Sequence, residues 1–157
     1  MISTADICDV HPDAVKVAEP IFRSYGGVTD FFGPIETIKT FEDNSLVRAT
    51  LETPGEGRVL VVDGGGSLRC ALLGDQLAAL AVKNGWIGIL IFGCVRDSVA
   101  LAQSAVGIYA LNTHPRKSKK QGLGDRNVTV SFAGIDFLPG HFLYADKDGI
   151  LVADHKL

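Results

Sequence analysis

Residues 58–97 read RVLVVDGGGSLRCALLGDQLAALAVKNGWIGILIFGCVRD, and this stretch decides the fold. Arg58 to Asp63 is apolar without alternation, the pattern of a strand buried on both faces of a parallel sheet. Gly64-Gly65-Gly66-Ser67 interrupts it, a helical stretch runs from about Asp75 to Asn84, and Gly88 to Phe92 forms a second apolar strand. Strand, crossover helix, strand is a βαβ unit, so the two strands are expected to be parallel with a right-handed connection.

Upstream, Ser3-Thr4-Ala5-Asp6 reads as a helix start. Pro12 is expected to open a further turn, with Val15, Val17, Ala18, Ile21 and Phe22 as its apolar positions and Gly26-Gly27 as its end. Ile35 to Phe41 alternates as a half-buried strand. Asp43-Asn44-Ser45 can cap a helix to about Glu52, closed by Pro54-Gly55. Downstream, a short helix over 97–103 leads to a strand over 106–111. Beyond the basic loop 114–124, the segments 127–133, 135–137, 141–145 and 150–153 read as short strands of an antiparallel C-terminal part. Without repeat or linker, this predicts an α/β fold in a single domain over residues 1–157.

A chain of 157 residues can bury roughly two thirds of its unfolded surface, so no disulfide or structural metal is needed for folding. Cys8, Cys70 and Cys94 form no CxxC pair, which fits reduced thiols in the cytoplasm. The opening MISTADICDVHPD carries acids where a signal peptide needs basic then apolar residues. The longest apolar run, 87–95, is about half of a membrane span. A formal net charge of −3 gives no reason to expect direct nucleic-acid or anionic-membrane binding.

Ligands of open α/β sheets gather at the carboxyl ends of the parallel strands. Two such ends are legible, Asp63 to Ser67 and Gly93 to Asp97, and both loops are expected on one rim. Twenty residues separate Asp75 from the dyad Arg96-Asp97. This acid, cation and acid could hold a divalent metal beside a carboxylate substrate. Asp75 and Asp97 could equally cap their own helices, and Arg96 could be an ordinary surface ion-pair partner. The glycine run matches neither GxxxxGK[ST] nor GxGxxG, so a tight turn bringing amides near a small anion is expected in place of a nucleotide site. The loop HPRKSKK, with Arg116, Lys117, Lys119 and Lys120, lacks the interleaved aromatics of an RNA patch. It reads as a solvated loop, with steering of an anionic substrate as an alternative. The four histidines lack metal-ligand spacing, Cys94 reads as a packed thiol, and Ser67 lacks a GxSxG elbow.

RVLVVDGGGSLRCALLGDQLA and NGWIGILIFGCVRD resemble the regulator of ribonuclease activity A (RraA-like) family, whose relatives include 4-hydroxy-4-methyl-2-oxoglutarate/4-carboxy-4-hydroxy-2-oxoadipate aldolases. Residues 32–35, 40–44 and 144–150 extend the likeness over nearly the whole chain. The resemblance implies a swivelling β/β/α domain, a ring-shaped homotrimer with sites between subunits, and one of two roles. One branch binds and inhibits ribonuclease E. The other consists of metal-dependent lyases marked by D-x20-R-D, which stands intact here as Asp75, Arg96 and Asp97. Carried over, Asp97 is the metal-site acid for magnesium or manganese, Arg96 binds the carboxylate and keto oxygen of a small 2-oxo acid, and Asp75 orients a water for proton transfer. Gly74, Asp75, Gln76 and Leu77 form the substrate-facing turn. The implied activity is 4-hydroxy-4-methyl-2-oxoglutarate aldolase with oxaloacetate decarboxylase activity, both passing through a metal-stabilised pyruvate enolate.

Overall fold

A run of aliphatic residues without polar alternation needs cover on both faces, and this chain supplies two such runs side by side. The computed structural model describes residues 3–157, leaving Met1 and Ile2 of the expected domain outside the described residues. In chain order the elements are α1 (Thr4–Val10), β1 (Val15–Val17), β2 (Arg23–Ser24), β3 (Phe31–Lys39), α2 (Ser45–Leu51), β4 (Val59–Asp63), β5 (Ala71–Leu73) and α3 (Asp75–Lys83). They continue with β6 (Gly88–Val95), α4 (Ser98–Leu101), β7 (Gly107–Thr113), β8 (Asp125–Arg126), β9 (Val130–Phe132), β10 (Ile135–Phe137), β11 (Phe142–Ala145) and β12 (Ile150–Ala153).

Strands β3, β4, β6 and β7 lie in that order, all parallel, so the expected βαβ pairing of β4 with β6 is present. Their side chains divide by period two. Leu60, Val62, Ile89 and Ile91 pack under Val47 and Leu51 of α2 and Leu77, Ala78 and Ala81 of α3. Val59, Val61 and Leu90 point the other way, onto Phe132, Phe137, Leu143 and Val152. The antiparallel part is joined through β3, whose residues 31–34 pair with β11 while 35–39 pair with β4. Strands β12 and then β1 extend that side.

Several expectations need correction. The segment after Pro12 is not helical: Val15–Val17 pairs with β12 and Arg23–Ser24 with β7. Pro20 stands inside the stretch, where its ring and missing N–H oppose a helix and disfavour helical geometry at Glu19. The strand expected over 35–41 runs from Phe31 to Lys39 and is covered on both faces, not one. Its buried polar groups are matched: Glu36 pairs with Arg58 at 2.5 Å and Arg126 at 3.4 Å, and Thr37 Oγ1 donates to the Val128 carbonyl. The helix expected over 97–103 is only α4, and the strand expected over 127–133 is only β9. No helix among the described residues is long and apolar enough to cross a membrane.

Candidate functional site

The site follows from a difference in strand length. Strand β4 accompanies β6 as far as Phe92, but β6 continues to Val95. Beside Cys94 and Val95 the neighbour is β5, a strand the sequence reading did not anticipate. Ala71 and Leu73 of β5 line the cavity that holds Arg96 and residues 64–67 of the glycine loop do not, so the two strand ends do not share that cavity. The amides of that loop are also consumed internally. Gly64 and Gly66 N–H donate to the Phe92 carbonyl at 3.1 Å, Gly65 N–H to Asp63 Oδ1 at 2.9 Å, and Ser67 N–H to the Gly64 carbonyl at 3.4 Å. The expected amide cradle for an anion is therefore absent from 64–67.

The other strand end is open. Arg96 follows β6 directly, its N–H bonded to the Leu73 carbonyl at 2.9 Å. Asp97 adopts a left-handed backbone (φ 60°, ψ 42°), a conformation that aspartate tolerates better than most residues. Its side chain does not cap its own helix α4. Asp97 Oδ2 instead accepts from the Asp75 N–H at 3.0 Å, at the first turn of α3. Asp75 is the first residue of α3, and the helix has no side-chain cap from its own N-cap residue, Gly74. The own-helix capping alternative is thus corrected for both acids. Gly74 is tightly placed, since a Cβ there would lie 2.6 Å from Asp97 Oδ2 and 3.4 Å from Arg96 Cγ. The Gln76 and Leu77 amides take no acceptor among the described residues, the usual condition of a helix's first turn. Arg96 forms no ion pair among the described residues, so the surface-pair alternative also fails.

Asp75, Arg96 and Asp97, with Gly74, Gln76 and Leu77, line one cavity of about 120 Å³. Its other walls include Asn44, the N-cap of α2, Arg48 from α2, and Lys117, Ser118 and Lys120 from the basic loop. That loop is not simply solvated. Asp43 is buried and pins it: Oδ2 accepts from the Gln121 and Leu123 amides at 2.8 and 3.2 Å, while Oδ1 accepts from the Ser45 amide and hydroxyl at 2.8 and 2.6 Å. Burial pushes the Asp43 carboxyl up, but these hydrogen bonds outweigh it and hold the group at about 2. Ser118, 5% exposed, accepts from the Asn44 amide at 3.1 Å, and the Ala71 amide donates to the Arg116 carbonyl at 2.7 Å. Asn44 Oδ1 is buried and has no hydrogen-bond partner among the described residues.

Sequence reading missed Asn44, Arg48 and Ser118 as cavity residues, and it weighted Lys117 and Lys120 toward solvent. Arg48 looks like an ordinary i,i+4 partner of Glu52, and the charge run resembles any solvated loop. The only available signal was the alternative of steering an anion. Cys94 is buried, as expected, and burial raises its thiol pKa. A larger cleft of about 630 Å³, lined by Asp13, His141, Asp154 and His155 among others, contains none of the signature residues. Among the described residues no three His, Cys, Asp or Glu side chains converge as a metal-holding group.

A family model described as RraA-like, Aldolase/RraA, matches residues 4–152. The chain belongs to the RraA-like family. A relative from Alkalilimnicola ehrlichii, named "Putative 4-hydroxy-4-methyl-2-oxoglutarate aldolase", is 59% identical over 156 residues, covering 99% of this chain and 97% of its own. A solved Geobacillus kaustophilus structure, described as an S-adenosylmethionine: 2-dimethylmenaquinone methyltransferase, is 50% identical with a TM-score of 0.98 over 99% of this chain and 97% of that one. The structure of the RNA-processing inhibitor RraA from Thermus thermophilis is 43% identical with a TM-score of 0.97, covering 100% of this chain and 95% of that one. Membership and the α/β fold with its mixed sheet are therefore established together.

Proposed function

We propose that this RraA-like chain is a divalent-metal-dependent, pyruvate-forming lyase, a 4-hydroxy-4-methyl-2-oxoglutarate aldolase with oxaloacetate decarboxylase activity. The observation that carries the reading is the convergence of Asp75, an unpaired Arg96 and Asp97 in one cavity with a cationic surplus. The name of the Alkalilimnicola relative supports the aldolase half.

The residues present fit a hard cation. Asp97 has one oxygen on the Asp75 amide and a second free of hydrogen bonds from described residues, and Asp75 adds a neighbouring carboxylate. Magnesium or manganese typically takes only one or two protein carboxylates and keeps several waters, so the lack of a three-acid cluster is no obstacle. When bound at Asp97, the ion would supply Lewis acidity toward the 2-oxo acid. Arg96 supplies a fixed cation for the carboxylate and keto oxygen, and the Gln76 and Leu77 amides offer donors at a helix N-terminus that favours anions. In the retro-aldol step the C4 hydroxyl gives its proton to a hydroxide held by Asp75, which becomes the water there, and the C3–C4 bond breaks. Its electron pair moves toward the keto oxygen that Arg96 faces, and C3 then takes a proton from a water held by Asp75. Two pyruvates leave. A cavity of about 120 Å³ suits a small acid, below the several hundred Å³ typical for larger cofactors, which disfavours a nucleoside-sized methyl donor at this site.

Pyruvate release from both substrates, measured with and without EDTA, tests the proposal. Activity indifferent to EDTA, or unchanged in Asp97→Ala, overturns the metal mechanism. The Thermus likeness favours a second reading, a regulator that binds and inhibits ribonuclease E without catalysis. Ribonuclease inhibition that survives Asp97→Ala, with no pyruvate formed by the native chain, selects it. A homotrimer and cytoplasmic residence complete the proposal, the first measured by light scattering and the second by fractionation.

A further inference from the structure

We infer that Asp43 is a positioning residue for the signature cavity, setting its affinity for a 2-oxo acid through side chains that it holds in place; this rests on the lyase reading of that cavity. Asp43 is 2% exposed and does not line the cavity, although Asn44, the next residue, does. The lining divides by what holds it. Gly74, Asp75, Arg96 and Asp97 belong to the end of β6 and the start of α3, whereas Arg48, Lys117 and Lys120 belong to α2 and the basic loop.

The two walls are fastened by separate sets of hydrogen bonds. On the signature side, Arg96 N–H donates to the Leu73 carbonyl and Asp75 N–H to Asp97 Oδ2. On the other side, every hydrogen bond that residues 118–123 make among the described residues runs to residues 40–45. Asn44 N–H donates to Ser118 Oγ at 3.1 Å, Lys119 N–H to the Glu42 carbonyl at 3.2 Å and Gly122 N–H to Ser45 Oγ at 3.1 Å. Asp43 is the centre of this set, because Oδ2 takes the Gln121 and Leu123 amides while Oδ1 takes the amide and hydroxyl of Ser45, the first residue of α2. One carboxylate thus fixes both the helix that presents Arg48 and the loop that presents Lys117 and Lys120. The walls meet upstream of these contacts, where the Ala71 amide donates to the Arg116 carbonyl.

Only a carboxylate serves both directions. Its two oxygens accept without donating, whereas a side-chain amide would turn an NH2 toward the Gln121 and Leu123 donors. Releasing the loop lets its lysines leave the cavity, and ligand affinity then falls with the fraction of chains still assembled. Metal binding at Asp97 and bond cleavage beside Arg96 draw on the other wall.

Calorimetric titration with magnesium alone, and then of the magnesium-loaded protein with pyruvate, provides the test. Asp43→Asn should weaken pyruvate binding about tenfold, the scale of one charge-assisted hydrogen bond, and leave magnesium affinity in place. KM should rise by the same factor with kcat unchanged, the mark of lost uniform binding. Ser45→Ala keeps the carboxylate, removes one of its donors and the Gly122 acceptor, and should act in the same direction by about threefold, so the inference stands or falls even where Asp43→Asn does not fold. Native pyruvate affinity and KM in the variants, or a fall in magnesium affinity equal to that for pyruvate, overturns the positioning role. Because binding is read without turnover, a native chain that binds magnesium and pyruvate, loosens pyruvate in the variants and yet releases none from either substrate fails the lyase reading alone.

Discussion

Strands β4 and β6 are adjacent, parallel and almost equally apolar, yet their carboxyl ends differ in kind. After β4 the chain closes on itself, with the 64–67 amides spent on Phe92, Asp63 and Gly64. After β6 it opens, with Arg96 unpaired and Asp97 reaching across to α3. The glycine run, expected to bring its amides near a small anion, lies at the closed end. What distinguishes a site is unspent hydrogen-bonding and charge, and neither property is visible in residue type alone.

The largest expected effect at the open end is Arg96→Ala, which should lower pyruvate formation a hundred- to a thousandfold in kcat, the scale of losing one preorganised charge-stabilising donor. A variant with native steady-state rates would break the comparison. Paired glycine substitutions sharpen it. Gly74→Ala places a Cβ 2.6 Å from Asp97 Oδ2 and should cut activity about tenfold or more by displacing that carboxylate. Gly66→Ala, at φ 71°, should instead cost roughly 1–2 kcal/mol of stability for a left-handed alanine while leaving turnover intact. Thermal denaturation and a pyruvate assay on both proteins separate the outcomes.

The next effect concerns the wall built by the basic loop. Because the folded Asp43 carboxyl is held at about 2, below its unfolded value, its contribution to stability is full above about pH 4 and is lost as pH falls through 2. The contribution is roughly 2 kcal/mol, and Asp43→Asn should remove it near neutrality and flatten the acid limb of a stability profile. Amide exchange at Gln121 and Leu123 should quicken over the same range. A variant with unaltered acid unfolding would show that the staple does not hold this wall.

Much of the fold was legible because it depends on local period. The continuous runs at 58–63 and 88–92 implied burial on both faces, and about 75–84 had room for one crossover helix. The folded strands are 59–63 and 88–95 and the helix 75–83, so only the extension of β6 to Val95 went unread. Strand β1 was not legible, since Val15–Val17 becomes a strand only by pairing with residues 151–153 near the other end of the chain. Strand β5 was hidden for the same reason: three apolar residues have no period to read, and their partner is the overhang of β6. Within the candidate site, D-x20-R-D marked Asp75, Arg96 and Asp97, but nothing local joined them to Arg48 or Lys117.

By itself, the sequence determined the parallel apolar strands, the crossover helix and the presence of an acid–arginine–acid signature, because these are properties of short-range pattern. Tertiary structure alone decided that the signature faces a cationic cavity and that the glycine loop does not. The physical reason is that both outcomes depend on which hydrogen bonds and charges remain unsatisfied after distant segments have packed, and that remainder exists only in the folded chain.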